Sequence, residues 1–227
     1  MQNSLFPKRI LIAGASGMVG AHLLDICVQS KEIETIFILS RKPSINLHKK
    51  VKEIIVNDFL NYDKIIPMIK GIDVVFFCIG VYTGAVDRDT FRTITIDYPV
   101  ELAKAVYTHS PASKFILLSG AGADRTEKSK VMFAKDKGIA ENQLFEIYGN
   151  HFHSLRPGYI YPVIKRKEPN LSYTFFRLLY PIIKLLGKKY SITSLELAKA
   201  MFVIGMNKQE QTVFENDELR EMVGKAP

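Results

Sequence analysis

The stretch GASGMVG places Gly14, Gly17 and Gly20 three residues apart, directly after the apolar run Arg9–Ala13. Glycines so spaced suit one task, binding a phosphate through the backbone. Gly14 permits a tight turn. Gly17 keeps a Cβ out of an approaching phosphate's way, and Gly20 lets the next helix lie close on the strand. That helix would offer unpaired N–H groups and the positive end of its dipole to a pyrophosphate. Gly14, Ser16, Gly17, Met18, Val19 and Gly20 are therefore candidate cofactor contacts. The triplet alone is a weak signal; between the first strand and first helix of an α/β chain it is stronger.

Three further clusters end apolar runs. Ser40, Arg41 and Lys42 follow the second run with no acid among them. A carboxylate there would hold a ribose 2′-hydroxyl, whereas a hydroxyl and two cations suit a 2′-phosphate and favour NADP over NAD. A solvated basic turn is the competing reading. Asp58 and Phe59 follow the third run, where a carboxylate could accept from an adenine amine and a ring could pack on the base; an Asp in a turn also caps its own backbone. Cys78, Ile79 and Gly80 close the fourth run, and glycine there lets a second ribose pass over the backbone.

The elements that must position these residues alternate along the chain. Strands are expected over Arg9–Ala13, Thr35–Leu39, Glu53–Val56, Asp73–Cys78, Lys114–Ser119 and Phe152–Arg156. They are near-continuous apolar runs, the pattern of strands covered on both faces. Helical spacing appears over Met18–Ser30, Val100–His109 and Ile139–Tyr148, with Pro99 suited to a first turn and Asp97 to a helix cap. Strand and helix in alternation predict an α/β, Rossmann-type doubly wound parallel sheet. The rhythm changes after Arg156. Ser194 and Asn216 read as N-caps of two late helices, with a short strand TVFE between them. One domain spanning 1–227 is expected, with 157–211 forming a small lobe on the substrate side.

Composition narrows the function. The 227 residues carry a net charge of +8 and are 47% hydrophobic. The charge fits an anionic ligand. No basic stripe interleaved with aromatics points to nucleic acid. No apolar stretch reaches the roughly 18 residues of a membrane span, and the first residues are too polar for a secretory signal. Cys27 and Cys78 lie in apolar runs without metal-ligand spacing, which fits buried thiols and a reducing cytoplasm. The five histidines show no metal spacing either; His151 and His153 alternate along a strand and should share a face. The segment Leu171–Gly187 could be a basic amphipathic membrane-surface helix, a buried lobe helix, or the contact of a homodimer.

GASGMVG, SRK, VNDF, FFCIG, LLSGAGAD, KDKGIAE and SLRPG come in the order and spacing of the atypical short-chain dehydrogenase/reductase superfamily. Over about Arg9–Pro162 the chain resembles its NAD(P)H-binding branch, near the Tat-interacting oxidoreductase and the sugar-nucleotide epimerases. The resemblance implies a serine, tyrosine and lysine set. Ser119 matches the serine that bonds the substrate oxygen. Lys137 matches the lysine that holds the nicotinamide ribose and lowers the tyrosine's pKa, and Pro157 matches a cofactor contact. The tyrosine position falls on Phe133, which can neither donate nor accept a proton. No tyrosine lies between Tyr107 and Tyr148, so no small slip restores the motif. Tyr82, after the fourth strand, is the candidate substitute acid, and Tyr159 and Tyr161 could line the substrate lobe.

Two functions stand. The chain is an NADP-dependent oxidoreductase or epimerase-like enzyme on a small carbonyl or sugar-like substrate, or it is a non-catalytic NADP(H)-binding protein. Both require the basic turn. Arg41→Ala should therefore weaken NADPH binding about tenfold to a hundredfold, by loss of one charge-assisted contact, while leaving NADH binding unchanged. Calorimetric titration of both cofactors checks this, and equal affinity of the unmutated protein for the two contradicts it.

Overall fold

The computed structural model describes residues 7–164, 187 and 189–224. Seven strands form one parallel sheet in the order β3-β2-β1-β4-β5-β6-β9. They are β1 (Lys8–Ala13), β2 (Ile33–Ser40), β3 (Val51–Ile55), β4 (Val74–Phe77), β5 (Lys114–Leu118), β6 (Phe152–Arg156) and β9 (Val213–Glu215). A two-stranded parallel pair, β7 (Tyr159–Tyr161) and β8 (Ser191–Thr193), stands apart. The helices are α1 (Gly20–Gln29), α2 (Arg88–Arg92), α3 (Tyr98–His109), α4 (Met132–Tyr148), α5 (Ser194–Met206) and α6 (Asn216–Val223).

The apolar runs are strands because both their faces are covered. Side chains alternate across a strand. Phe77 thus joins Leu102, Phe115, Leu144 and Phe152 under α3 and α4. Its neighbour Phe76 joins Leu23, Cys27, Met201 and Phe214 under α1, α5 and α6. The expected doubly wound fold is therefore present. The chain crosses from one side of β1 to the other between β3 and β4, and this reversal opens a crevice at the carboxyl ends of the strands.

Several local expectations change. α4 begins at Met132, seven residues before the apolar pattern would start it. The polar run Lys135–Lys137 hides the first turns, yet Asp136 there is fully buried and accepts both ends of the Arg88 guanidinium at 2.5 and 2.8 Å. Asp97 makes no capping bond: it ends a π-helical turn, Thr93–Asp97, that joins α2 to α3, and Asp87 caps α2 instead. The cap of α5 is Thr193, in a capping box with Glu196, and Ser194 is already helical. Asn216 does not cap α6; Glu215 does, and the Asn216 amide instead accepts from Gly158 N and donates to Ser191 O. His151 lies in a 3₁₀ turn, so the two histidines share no strand face. His153 alone is buried, bonded through Nδ1 to Gln211 O. The segment 171–186 lies outside the described residues.

The β1–α1 turn is the tightest junction. A Cβ on Gly20 would lie 2.2 Å from the Gly14 carbonyl oxygen, and Gly14 itself has φ +87°. Gly20→Ala should lower stability by about 1–3 kcal/mol, because the neighbour is backbone and cannot turn aside. Gly80→Ala, whose Cβ would meet nothing within 4 Å, should be close to neutral. Thermal unfolding of the two variants checks this; equal midpoints contradict it.

Candidate cofactor and substrate cleft

Every candidate site residue sits on the carboxyl edge of the sheet, because parallel strands all end there. The loop after β1 packs against the loop after β4: a Cβ on Gly14 would stand 2.9 Å from the Cys78 carbonyl carbon and Ile79 N. Gly17 N donates to Gly14 O at 2.9 Å, closing the turn before α1. Two neighbouring glycine and strand-end backbones thus form one surface without side chains, which fits a pyrophosphate and the ribose beyond it.

At the end of β2, Arg41 and Lys42 are exposed and Ser40 is half-buried. The structure adds an acid that the second strand does not carry. Glu53, from β3, accepts from Ser44 N at 2.8 Å and Ser44 Oγ at 2.6 Å. These bonds hold its carboxyl below the ordinary range and clasp the basic loop to the sheet. No sequence pattern links a loop serine to a strand acid nine residues on, so this pairing was hidden. Asp58 accepts from Leu60 N, a local turn cap. Phe59 belongs to the core: it is 7% exposed, stacked on Tyr98 at 5.4 Å and edge-on to Tyr62 at 6.4 Å. Its ring is committed to those partners and not presented to an adenine. This corrects the expectation for Phe59; its place after an apolar run was the signal for burial.

The loop before α4 fixes the register of Phe133. The Asp124 carboxylate accepts from Thr126 N and Oγ1, Lys128 N and Ser129 N. A Cβ at Gly138 would fall 1.8 Å from Asp124 O, so loop and helix touch backbone to backbone. Phe133 and Lys137 then stand one turn apart on α4, with the Lys137 Nζ 5.4 Å from the Phe133 ring centre. The ring edge rests on Gly120, where a Cβ would approach Phe133 Cζ to 2.8 Å. Gly120 was not anticipated, although its place directly after Ser119 is a usable signal: only a residue without a side chain admits the ring.

A cleft of about 240 Å³ opens here. Met18, Tyr82, Ser119, Gly120, Phe133, Pro157, Gly158, Tyr159, Ile160 and Pro162 line it. Ser119, Phe133 and Pro157, which the resemblance singled out, and Tyr82, the candidate substitute acid, therefore meet in one place. Lys137 lines an adjoining hollow of about 30 Å³ with Ile79, Gly80 and Thr95. Tyr161 does not line the cleft. Cys78 is half-buried and Cys27 buried, both as free thiols, and burial pushes the Cys78 thiol up to about 12.

Beneath Ser119 lies a polar group that sequence reasoning missed. Glu141 is fully buried. Its Oε1 accepts from Ser119 Oγ at 2.7 Å, Ser154 Oγ at 2.7 Å and Arg156 Nε at 3.1 Å; its Oε2 accepts from Arg156 Nη2 at 2.5 Å. Arg156 also reaches Glu215 at 3.1 Å. The available signal was an acid one helical turn beyond Lys137.

A Rossmann sheet with a glycine turn, a basic loop and this cleft on one edge defines a dinucleotide-binding protein. A sequence model described as NAD(P)H-binding matches residues 14–160, and the chain belongs to that family. The chain is 28% identical over 193 residues to "Protein FMP52, mitochondrial" of Debaryomyces hansenii, covering 83% of each. It is 31% identical over 141 residues to leucinostatins biosynthesis cluster protein T of Purpureocillium lilacinum, covering 61% of this chain and 52% of that one. In fold it is similar to Gre2 of Candida albicans, solved in complex with NADPH: TM-score 0.67, 14% identity, 92% of this chain and 78% of that one. It is also similar to UDP-glucuronic acid 4-epimerase of Bacillus cereus, in complex with NAD: TM-score 0.66, 19% identity, with coverage of 92% and 78%. Neighbours with either cofactor share the fold. Among the described residues no helix is long and apolar enough to cross a membrane, and no group of His, Cys, Asp and Glu could hold a metal ion.

Burial lowers the Lys137 amine to about 8, with Glu141 pulling the other way. A lysine with a depressed pKa loses its charge as pH rises through about 8. If its cation helps hold the anionic cofactor, NADPH affinity should fall several-fold between pH 7 and pH 9, and Lys137→Ala should be weaker but flat over that range. Fluorescence titration at each pH checks this. An identical slope in the variant contradicts it.

Proposed function

We propose that the protein is an NADP(H)-dependent oxidoreductase that works on a small uncharged alcohol or carbonyl compound. The observation that carries the proposal is the convergence of Ser119, Phe133, Tyr82 and Pro157 on one cleft, with Lys137 behind it. Gly14, Ser16, Gly17, Met18, Val19 and Gly20 cradle the pyrophosphate in this reading. Ser40, Arg41 and Lys42 take the 2′-phosphate and favour NADP over NAD, and Asp58 stands beside the adenine. Cys78, Ile79 and Gly80 pass the second ribose, which Lys137 holds. Bound NADPH would supply the hydride to a carbonyl, and bound NADP⁺ would accept it from an alcohol. The cleft walls are apolar or uncharged side chains, which supports a neutral substrate over an anionic sugar nucleotide. β7 and β8, in the lobe expected over 157–211, would close the substrate side.

Phe133 fills the acid's place with a ring that moves no proton. Tyr82, 37% exposed and lining the same cleft, is the hydroxyl-bearing substitute in this proposal. A second reading, a non-catalytic NADP(H)-binding protein, is favoured by the same Phe133: its ring lies against Gly120 and Lys137, so the cofactor side can be complete while the proton path is not. Reducing conditions suit the two free thiols, as in the expected cytoplasm; a relative's name instead says mitochondrial.

NADPH oxidation over a panel of neutral aldehydes and ketones separates the readings. In the enzyme reading the unmutated protein turns over slowly, Tyr82→Phe abolishes turnover, and Phe133→Tyr raises it on the order of 100-fold by restoring a general acid beside Lys137. No oxidation by either the unmutated protein or Phe133→Tyr, with NADPH tightly bound, leaves the binding protein.

A further inference from the structure

The Ser119 hydroxyl has one proton, and its direction is fixed. Glu141 is ion-paired to Arg156, and a carboxylate in that state only accepts. Each of its partners must therefore donate. The Ser119 Oγ–H points down into the interior at 2.7 Å from Glu141 Oε1, and the Ser154 hydroxyl does the same. Ser119 N is also committed, donating to Leu155 O at 2.8 Å. Ser119 lines the cleft, and with its proton engaged by Glu141 its hydroxyl oxygen has only lone pairs left to offer a ligand.

We infer that Ser119 faces the cleft as a hydrogen-bond acceptor, so that the site selects a ligand presenting a donor there: a neutral alcohol rather than its carbonyl counterpart. This rests on the proposed oxidoreductase reading for the cleft's role, and it reverses the direction of the bond expected of Ser119. To donate to a carbonyl oxygen, Ser119 would have to take its proton from a fully buried carboxylate, leaving that charge with one donor fewer. A hydroxyl ligand asks for no such change. Glu141 does not line the cleft and is a positioning residue; it sets the polarity of Ser119 from below. Tyr82 and Tyr159, on the same cleft, belong to a residue type whose phenol can donate or accept, so they do not impose a direction of their own.

The experiment measures dissociation constants for matched pairs of one skeleton, cyclohexanol with cyclohexanone and 1-phenylethanol with acetophenone. Each is bound to the cofactor-free protein and to the non-reacting pairings, alcohol with NADPH and ketone with NADP⁺. The unmutated protein should favour the alcohol roughly tenfold. Ser119→Ala should bring the ratio close to one. Glu141→Ala frees the Ser119 proton and should shift the preference toward the ketone, which a merely structural role for Glu141 would not do. Should Glu141→Ala fail to fold, the ratio in Ser119→Ala still decides. Equal or ketone-favouring binding by the unmutated protein, binding of neither member of any pair, or an alcohol preference that survives Ser119→Ala overturns the inference. Failure of NADP(H) to bind at all would instead overturn the functional reading, and the cofactor-free ratios would still report on Ser119.

Discussion

The ion pair between Glu141 and Arg156 ties the site together. One buried carboxylate joins α4 to the ends of β5 and β6 through Ser119, Ser154 and Arg156, and Arg156 carries the tie on to Glu215 at the end of β9. A buried pair is weak evidence of net stabilisation, because desolvating two charges offsets their attraction. Its geometry is specific, however. Removing one partner strands the other, a loss of about 3–5 kcal/mol. The pair therefore fixes how α4 sits on the sheet, and with it the positions of Phe133 and Lys137, two turns and one turn earlier on the same helix.

That placement is compatible with the proposed reading, in which a cofactor site persists beside an altered reaction centre. The glycine turn, the basic loop and the β4 end are built from backbone and strand termini, and none of them depends on residue 133. The ring at 133 needs only Gly120 beneath it. Arg88 and Asp136 clamp α2 to α4, and Tyr82, on the loop before α2, lines the same cleft. In the proposed reading the missing hydroxyl at residue 133 is a local change, and the rest of the edge serves the nucleotide.

The sequence made the fold legible where one physical signal dominated. Apolar runs bounded by turns gave the six longer strands of the main sheet, since burial on both faces leaves no other pattern. The glycine spacing marked the β1–α1 turn because the close approach of Gly20 to Gly14 admits no side chain. Long-range polar pairing was not legible. Glu53 with Ser44, Arg88 with Asp136 and Glu141 with Arg156 connect residues that the sheet brings together, and nothing local announces them. The start of α4 was obscured for the same reason: Asp136 looks like a solvent-facing residue until its partner is known. Phe59 illustrates the opposite error, in which a ring suited to stacking on a base is used to stack on Tyr98.

In the proposed reading Phe133 occupies the acid's position in an otherwise intact NADP(H) site. A crystal structure of the protein with NADPH bound tests it most directly. The claim predicts the pyrophosphate over Gly14–Gly20, the 2′-phosphate against Arg41 and Lys42, Lys137 within hydrogen-bond distance of the nicotinamide ribose, and the Phe133 ring beside the cleft into which the nicotinamide C4 points. A nicotinamide lying away from that cleft, with Phe133 and Lys137 remote from it, would contradict the claim and remove the basis for assigning the lost proton donor to residue 133.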